Sequence, residues 1–261
     1  MSCIADYLKC QPQFSSKNLI RLRLEQQAAG WLEQSTVQSL FALAPEWRVV
    51  DSTINLNGAD LAKQLHLAAQ HLHDNGLIQG WRHENYGVCV ENIVDEVDFT
   101  KPICALERAS FRRFGLVSRA VHINAYYPDG SICLGRRAKT KSIDPYLLDN
   151  MAAGGIPIDE DIHDCAIREL FEEAGVPHAI AKDIQLINTV RVQRNEIDGT
   201  HDEVLYCFDL ALPEHFQPQN QDGEVAAFYR FTPTEVSEKL SEMTWDAGRV
   251  TAEYLLRHGW R

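Results

Sequence analysis

Three glutamates, Glu169, Glu172 and Glu173, follow one another so closely that a helix would place them on one side. Like charges one turn apart repel, so this arrangement alone would destabilise a helix. A hard divalent cation reverses that balance, because it prefers oxygen ligands and bridges substrate phosphates. The neighbouring Arg168 can orient a carboxylate through paired hydrogen bonds. These four residues therefore predict part of a metal site that is suited to binding a diphosphate.

The surrounding residues predict the helix that this chemistry needs. Either Asp161 or Asp164 can cap a helix that runs through CAIRELFEEA, and Gly175 suits the left-handed residue at its end. The apolar side chains between the caps are predicted to form the buried face, and they are Cys165, Ile167, Leu170, Phe171 and Ala174. The glutamates then occupy a separate side of an amphipathic helix.

A longer pattern encloses this helix, and it carries a family resemblance. From Gly154 to Val176 the chain reads GX5EX7REUXEEXGU, where U is an aliphatic residue. This box resembles the signature of the Nudix hydrolases at every specified position. The resemblance implies an α/β fold, an α/β/α sandwich with a mixed sheet, and Mg²⁺ as cofactor, for which Mn²⁺ can substitute. The metal ligands that it implies are Glu169, Glu172 and Glu173.

The resemblance also implies roles for residues beside the metal ligands. Arg168 and Glu160 would support the loop, helix and loop of the box. The stretch QDGEVAAFYRFTPTEV resembles the EVXXF segment of the family and nominates Glu224 as a further ligand or base. Attack of water on a phosphoanhydride needs a proton acceptor. Glu169 is the first choice for this base and Glu224 the second, so the predicted catalytic residues are Glu169, Arg168 and Glu224.

Segments outside the box resemble one subgroup of the family. They are WRHENYGV from Trp81, RFGLVSRAVHINAYY from Arg113, RRAKTKSIDPYLLDNMAAGG from Arg136 and LLRHG from Leu255. The subgroup is related to the amino-terminal part of fungal thiamine pyrophosphokinases. It implies cleavage of thiamine diphosphate, and especially of its damaged oxothiamine and oxythiamine forms, to the monophosphate and phosphate. One departure is Tyr146, which stands where the subgroup leads us to expect a glycine.

Substrate recognition is predicted from side chains ahead of the box. The basic residues that could offset a terminal phosphate are Arg136, Arg137, Lys139 and, farther along, Lys141. The aromatic residues that could stack on a pyrimidine ring are Trp81, Tyr86 and Tyr146. His122 and Asn124 lie in a predicted strand, where each can face either the site or the core.

Two other functions stay open at this stage. One is hydrolysis of a nucleoside diphosphate derivative such as ADP-ribose. The subgroups with that activity carry proline signatures after the box, whereas this chain has no proline between Pro177 and Pro213. The other is a non-catalytic module that senses a diphosphate. Such modules commonly lose box glutamates, and this chain keeps them all.

The remaining sequence predicts the elements that position the box. The stretch AVHINAYYPDGSICLGRR has a Pro-Asp-Gly turn between β-rich runs and predicts a hairpin. IQLINTVRVQR and EVLYCFDLAL predict two further strands, and the stretch from TEVSEKL onward is helical in pattern. These elements fit a Nudix domain over residues 115–261.

Residues 1–114 are predicted to form a separate small α/β domain. Within it, DLAKQLHLAAQHLHDNGLI spaces leucines as in an amphipathic helix that ends near Asn75 and Gly76. The three histidines of this helix, His66, His71 and His73, are expected to be surface or core-edge residues, because only His66 and His73 approach a common face.

The composition of the chain indicates its broad class and argues against some kinds of partner. A chain of 261 residues with 45% hydrophobic residues can bury a substantial core. Its formal net charge of -12 argues against nonspecific binding to nucleic acid or anionic membranes. The sequence shows no transmembrane run or signal layout, and its seven cysteines are scattered. We therefore expect a cytoplasmic protein with reduced cysteines and a small-molecule diphosphate as partner; a homodimer is left open.

Overall fold

The computed structural model describes residues 4–91 and 97–260. Its amino-terminal part consists of α1 (Ile4–Lys9), β1 (Ile20–Leu24), β2 (Gln27–Leu32), α2 (Gln34–Leu43), β3 (Thr53–Leu56), α3 (Leu61–Asp74), β4 (Asn85–Val88), β5 (Cys104–Glu107) and α4 (Phe111–Phe114). Strand β1 pairs antiparallel with β2 and parallel with β3, while β4 and β5 form an antiparallel pair. The predicted small α/β region is therefore present.

Helix α3 shows why this region folds as it does. Leu61, Leu65, Ala69 and Leu72, which the sequence places on one face, are all buried in a single hydrophobic cluster. Full burial of each leucine stabilises the fold by roughly 1.5–3 kcal/mol. The helix ends at Asp74, as predicted.

The histidines of α3 do not share a site. His71 contacts Ser39 with 3.1 Å between Nε2 and the hydroxyl oxygen, whereas His66 and His73 contact different main-chain carbonyl groups. His66 is exposed and His71 and His73 are half-buried, as expected for surface or core-edge residues.

The carboxy-terminal part is built on one mixed sheet. Its elements are β6 (Val117–Tyr126), β7 (Ile132–Arg137), β8 (Leu148–Asp149), β9 (Ala152–Gly155), α5 (Ile162–Ala174), α6 (His178–Ala181), β10 (Gln185–Glu196), β11 (Gly199–Ala211), β12 (Val225–Phe231), α7 (Pro233–Lys239) and α8 (Trp245–Arg257). The strand order is β10-β11-β6-β7-β12, with β8 on β7 and β9 on β6. Strands β11 and β6 run parallel, and the other pairs are antiparallel.

Helices cover both faces of this sheet. Alternate residues of β6, including Val121 and Ile123, share a hydrophobic cluster with Leu170 of α5. On the other face, Ile132 of β7 shares a cluster with Leu255 of α8. Because successive strand residues point to opposite faces, one sheet can pack against both helices. The predicted α/β/α sandwich is confirmed.

The predicted strands and hairpin are also present. Strands β6 and β7 pair through Tyr126 and Ile132 on either side of the predicted turn. Strands β10 and β11 correspond to the two β-rich runs after the box. The carboxy-terminal helical stretch is divided into α7 and α8, and the Thr244 hydroxyl begins α8 by accepting a hydrogen bond from the amide of Ala247 at 3.3 Å.

Helix α1 packs away from the amino-terminal sheet. Its buried residues Ile4 and Tyr7 belong to the same hydrophobic cluster as Ala247 and Leu255 of α8. Within the predicted domain of residues 1–114, this first helix therefore contacts the sandwich. The division between residues 114 and 115 stays a prediction.

Two expectations from composition can be compared with the structure. The cysteines within the described ranges, Cys10, Cys89, Cys104, Cys133, Cys165 and Cys207, are free thiols, and Cys3 lies outside those ranges. Among the helices of residues 4–91 and 97–260, none is both long and apolar enough to cross a membrane.

Candidate metal and phosphate site

Helix α5 has the ends that the sequence predicts. Of the two candidate caps, Asp161 is the one used, and its carboxylate accepts a hydrogen bond from the amide of His163 at 2.8 Å. After Ala174, Gly175 adopts a left-handed conformation with φ of 63°. These two residues fix where the helix starts and stops, and so fix the positions of its glutamates.

The buried face of α5 differs from the prediction at Phe171, and Ile167 is only half-buried. Cys165, Leu170 and Ala174 are buried as expected, but Phe171 is 55% exposed. Each helical residue is rotated by about 100° from the one before it, so Phe171 turns out of the stripe that contains Leu170. Glu173 takes a core-facing position instead and is only 6% exposed.

Arg168 contacts three carboxylates of the box. Its Nε and Nη2 atoms donate to the two oxygens of Glu160 at 2.8 and 2.7 Å. Its Nη1 atom donates to Glu169 Oε1 at 2.7 Å and to Glu172 Oε2 at 2.9 Å. The hydrogen bonds from Arg168 lower the pKa of Glu160. Arg168 thereby connects the loop before α5 to two predicted metal ligands.

The main chain of β9 lies directly against two of the glutamates. A Cβ atom on Gly154 would come within 2.0 Å of Glu169 Oε1, so only glycine leaves room for this carboxylate. The amide of Ala153 donates to Glu173 Oε2 at 2.9 Å. The main chain of β9 therefore shapes the space that Glu169 and Glu173 occupy.

Glu224 approaches the same place from the start of β12. Lys141 Nζ contacts Glu224 Oε2 and lies 3.8 Å from Glu173 Oε1. Arg82, from the amino-terminal part, lies 3.4 Å from Glu224 Oε1. Sequence reasoning did not single out Arg82, although it belongs to WRHENYGV, because nothing in its spacing connects it to the box.

We refer to Glu160, Glu169, Glu172, Glu173 and Glu224 as the carboxylate cluster. Its contacting cations in the described residues are Arg168, Lys141 and Arg82, so five formal negative charges face three positive ones. The remaining two negative charges match one divalent ion.

The pKa values of two glutamates in the carboxylate cluster also indicate that its negative charge is not fully compensated. Burial raises the pKa of Glu169, although Arg168 opposes the shift. Burial and the nearby Glu169 raise the pKa of Glu173 to about 8, although Lys141 opposes the shift. The resident cations therefore do not compensate fully for burial of these carboxylates. An all-oxygen donor set with this excess charge fits Mg²⁺ or Mn²⁺.

Cys165 lies buried on α5 next to these charged groups. Its Sγ atom is 3.4 Å from Nη2 of Arg168 and 3.5 Å from the carbonyl oxygen of Gly155. Burial, together with the negative charges of Glu160 and Glu169, raises the pKa of the Cys165 thiol well above its ordinary value.

The basic residues predicted to bind phosphate occupy two different places. Arg137 donates to Asp149 Oδ2 at 2.7 Å and lines a pocket that Gly154 also lines. Arg136 and Lys139 instead lie over the ring of Tyr146, at 5.3 and 4.9 Å from its centroid. Arg136 points to the other face of β7 from Arg137, because neighbouring strand residues alternate, and Lys139 lies beyond the end of the strand. The structure therefore does not bring Arg136 and Lys139 to the carboxylate cluster. Their phosphate contacts stay a prediction.

Tyr146 has an unusual backbone conformation. Its φ of 67° lies in the left-handed region, which glycine adopts more readily than tyrosine. A glycine is the residue that the subgroup resemblance leads us to expect there. Tyr146 is 48% exposed, and its ring contacts Arg136 and Lys139 rather than the pocket.

A pocket of about 270 Å³ lies on the face of the sheet opposite α5. Tyr86, Arg82 and Arg108 line it from the amino-terminal part, and His122 and Gly155 line it from the sheet. Contact between the two parts is close, since a Cβ atom on Gly155 would come within 1.5 Å of the Tyr86 hydroxyl oxygen. Ala153 and Gly154 of β9 also line this pocket, and the same two residues lie against Glu173 and Glu169.

The other sequence candidates for substrate contact lie elsewhere. The ring of Trp81 packs against His73 at 4.7 Å between centroids, inside the amino-terminal part. Asn124 is buried and hydrogen-bonded to Asn150 at 3.0 Å. Of the three aromatic candidates, only Tyr86 is among the residues lining this pocket.

A charged group at the far side of the pocket resembles a metal site only superficially. Ligand atoms of His201, Glu203 and Asp246 lie within 4.8 Å of one another. However, Arg194 donates to both oxygens of Asp246, at 2.6 and 3.1 Å. His201 Nε2 lies 3.2 Å from Asp246 Oδ2. Burial lowers the pKa of His201, but Asp246 and Glu203 outweigh it and the net shift is upward. The group is therefore an ion-pair network.

Comparison with protein families matches residues 117–254 to the NUDIX domain. The match covers more than half of the chain. The chain belongs to the NUDIX family. The matched region begins with β6 and ends in α8, so it contains the whole mixed sheet and the box.

Relatives of this NUDIX protein include two from Arabidopsis thaliana. Nudix hydrolase 20, chloroplastic, is 34% identical over 195 residues, which cover 72% of this chain and 50% of that protein. Nudix hydrolase 24, chloroplastic, is 32% identical over 195 residues, covering 72% and 52%. The chain spans about half the length of these curated relatives. Their names mention no thiamine compound, so the subgroup assignment stays a prediction.

Solved structures also show similarity to this NUDIX protein. DR0079 from Deinococcus radiodurans is similar over 67% of this chain and 98% of that one, with 18% identity and a TM-score of 0.46.

Proposed function

We propose that this NUDIX protein hydrolyses a phosphoanhydride in a small organic diphosphate, with Mg²⁺ as cofactor. The observation that carries the proposal is that Glu169 and Glu173 lie against the main chain of β9, while Arg168 contacts both Glu169 and Glu172. Glu169, Glu172 and Glu173 would hold the metal, which would screen the charge of the diphosphate and activate water.

The hydrolysis step also needs a side chain that accepts a proton from the attacking water. A water oxygen attacks the terminal phosphorus, the bridging P–O bond breaks, and the water proton passes to a carboxylate. Glu169 is the first candidate for this last role, because Arg168 donates to its Oε1 atom and leaves its Oε2 atom without a bond from this arginine. Glu224 is the second candidate, but contacts with Lys141 and Arg82 engage both of its oxygens. The products are an organic monophosphate and phosphate.

The substrate class that we propose is thiamine diphosphate and its oxothiamine and oxythiamine forms. Support comes from the sequence resemblance, which extends over both parts of the chain, and from the pocket beside β9. Tyr86 offers an aromatic surface there, and Arg82, Arg108 and Arg137 offer positive charge. A cytoplasmic location also stays a prediction, because the names of both plant relatives indicate chloroplasts.

A substrate panel tests this proposal. The purified protein is incubated with Mg²⁺ and thiamine, oxothiamine or oxythiamine diphosphate, ADP-ribose or NADH, and monophosphate release is followed. We expect turnover of the thiamine-type diphosphates that stops when EDTA removes the metal. Turnover of ADP-ribose alone would replace the substrate class, and no turnover of any compound would favour a diphosphate sensor.

Glu172→Gln tests the metal site directly. Glutamine has nearly the helix propensity and shape of glutamate, so α5 should stay folded while one ligand oxygen loses its charge. We expect Mg²⁺-dependent activity to fall at least about tenfold. Removing a residue that only supports a metal ligand already lowers activity by about ten- to a hundredfold, and loss of a ligand should cost no less. The matched control is Glu238→Gln on α7, at an exposed position. Full activity in Glu172→Gln would exclude Glu172 as a ligand.

A further inference from the structure

Lys141 occupies the space between two carboxylates that come from different elements. Its ammonium group contacts Glu224 and lies 3.8 Å from Glu173 Oε1. The Lys141 side chain is only 14% exposed, so its charge is largely removed from water. Glu173 is itself held by the amide of Ala153. A buried ammonium group therefore lies against one predicted ligand from the box helix and one from outside the box.

We propose that Lys141 is an internal counter-ion of the metal site. In the metal-free protein its single positive charge partly offsets the negative charges of Glu173 and Glu224. A divalent ion that binds these carboxylates displaces its ammonium group, which then contacts the phosphate of the substrate. The final step rests on the proposed function, whereas the competition between lysine and metal does not depend on any substrate.

Charge and geometry both favour this exchange. An ammonium group and a divalent ion that share carboxylate oxygens repel each other strongly at such short distances. The lysine stem is flexible and can carry its charge away. The main chain at its base is fixed, since the amide of Ala138 donates to the carbonyl oxygen of Glu224 at 2.8 Å and the amide of Lys141 donates to the carbonyl oxygen of Ala138 at 3.2 Å. Only the side chain needs to move.

Mn²⁺ binding to the substrate-free protein tests the competition. In Lys141→Met the competing charge is gone, so we expect Mn²⁺ to bind at least about tenfold more tightly than in the wild type, measured by electron paramagnetic resonance of free Mn²⁺. Lys141→Arg retains the charge and should bind Mn²⁺ much as the wild type does. Lys139→Met is the matched control, because Lys139 lies over Tyr146 and not against the carboxylate cluster.

A second measurement distinguishes a counter-ion from a residue that only supports the fold. Without metal, Lys141→Met should unfold at a lower temperature than the wild type, because Glu173 and Glu224 lose their partner. Saturating Mn²⁺ should raise its melting temperature by more than it raises that of the wild type. If Lys141→Met does not fold, Lys141→Gln removes the charge but keeps a hydrogen-bond donor, and the same results are expected.

The outcomes separate this inference from the proposed function. Equal or weaker Mn²⁺ binding by Lys141→Met and Lys141→Gln, with the wild type binding Mn²⁺, would overturn the role of Lys141 alone. A wild type that binds no Mn²⁺ would overturn both proposals. Tighter Mn²⁺ binding together with a lower kcat/KM for the diphosphate would support both halves of the inference.

Discussion

Arg168 contacts Glu169 and Glu172, and the way it does so determines whether a metal can still reach them. Each carboxylate has two oxygens and about four sites that accept a hydrogen bond or a metal. Within residues 4–91 and 97–260, Arg168 bonds only Oε1 of Glu169 and only Oε2 of Glu172. Arg168 thus leaves one oxygen of each glutamate for an ion. The other edge of the guanidinium group donates to both oxygens of Glu160.

Gly154→Ala should disturb the metal site without unfolding the sandwich. The added methyl group would lie 2.0 Å from Glu169 Oε1, so this carboxylate must move away from its position. We expect at least about a tenfold loss of Mg²⁺-dependent activity, with circular dichroism close to that of the wild type.

The matched control for this variant is Gly135→Ala on β7. There the nearest atom to an added Cβ is 3.2 Å away, so a smaller loss is expected. Equal activity in Gly154→Ala and the wild type would mean that Glu169 need not stay where the structure places it.

At the scale of elements, the sequence predicts α5 well and β9 not at all. The helix has a cap, an apolar stripe and a terminal glycine, which are local signals. Strand β9 consists of Ala152–Gly155, residues with little intrinsic preference for strands. It forms because it pairs with β6, where Ala153 lies opposite His122, and because its amide binds Glu173. Such a strand depends on distant partners, which a local pattern does not reveal.

The charged groups likewise divide into those that are close in sequence and those that the fold brings together. The glutamates of α5 are close in sequence, so their grouping can be predicted from helical geometry alone. Arg82 and Lys141 reach Glu224 only after the amino-terminal part has packed against the sandwich and the segment after β7 has folded back. Even within a helix, burial cannot always be predicted from the sequence. Phe171 is hydrophobic but exposed, because hydrophobic character alone does not determine which side of the helix faces the core.

The ion-pair network that joins β10, β11 and α8 predicts a pH-dependent stability. His201 faces Asp246, Glu203 and Arg194, and its folded-state pKa is raised. Its stabilising contribution is therefore fully present below the unfolded pKa of about 6.5 and is lost as the pH rises through the folded pKa. The pKa of Asp246 is strongly lowered despite its burial, so Asp246 stays charged across this range.

We expect His201→Gln to lower the free energy of unfolding more at pH 6 than at pH 9, measured by urea denaturation. His215→Gln, at an exposed position, is the control and should show little difference. The same loss in His201→Gln at both pH values would contradict the assigned charge of His201.

At the scale of the whole molecule, the amino-terminal part contributes directly to the candidate site. Tyr86 lies against Gly155 of the box, and Arg82 lies 3.4 Å from Glu224. A NUDIX domain alone would lack this wall of the pocket. Under the proposed function, the carboxy-terminal part would supply the metal ligands and the amino-terminal part would help to define the space for the organic group.

Contact between the parts can be tested with a double-mutant cycle. Gly155→Ala forces a methyl group against Tyr86 and should destabilise the protein by about 1–3 kcal/mol through overpacking. Tyr86→Leu removes the aromatic ring that the new methyl group would clash with. The free energy of unfolding of the double variant should therefore exceed the value expected from adding the two single changes, by roughly 0.5–3 kcal/mol. Urea denaturation measures each variant. Strict additivity would show that the two residues do not touch.

The buried thiol of Cys165 has a consequence for how this protein would withstand oxidants. Peroxide reacts with the thiolate form of cysteine, and a thiol that stays protonated and shielded from solvent reacts slowly. With the pKa of Cys165 raised and the side chain buried, the sulfur nearest the carboxylate cluster should stay reduced under oxidative stress. If the proposed substrates are the true ones, the enzyme would then keep working in the conditions that generate oxothiamine and oxythiamine diphosphates.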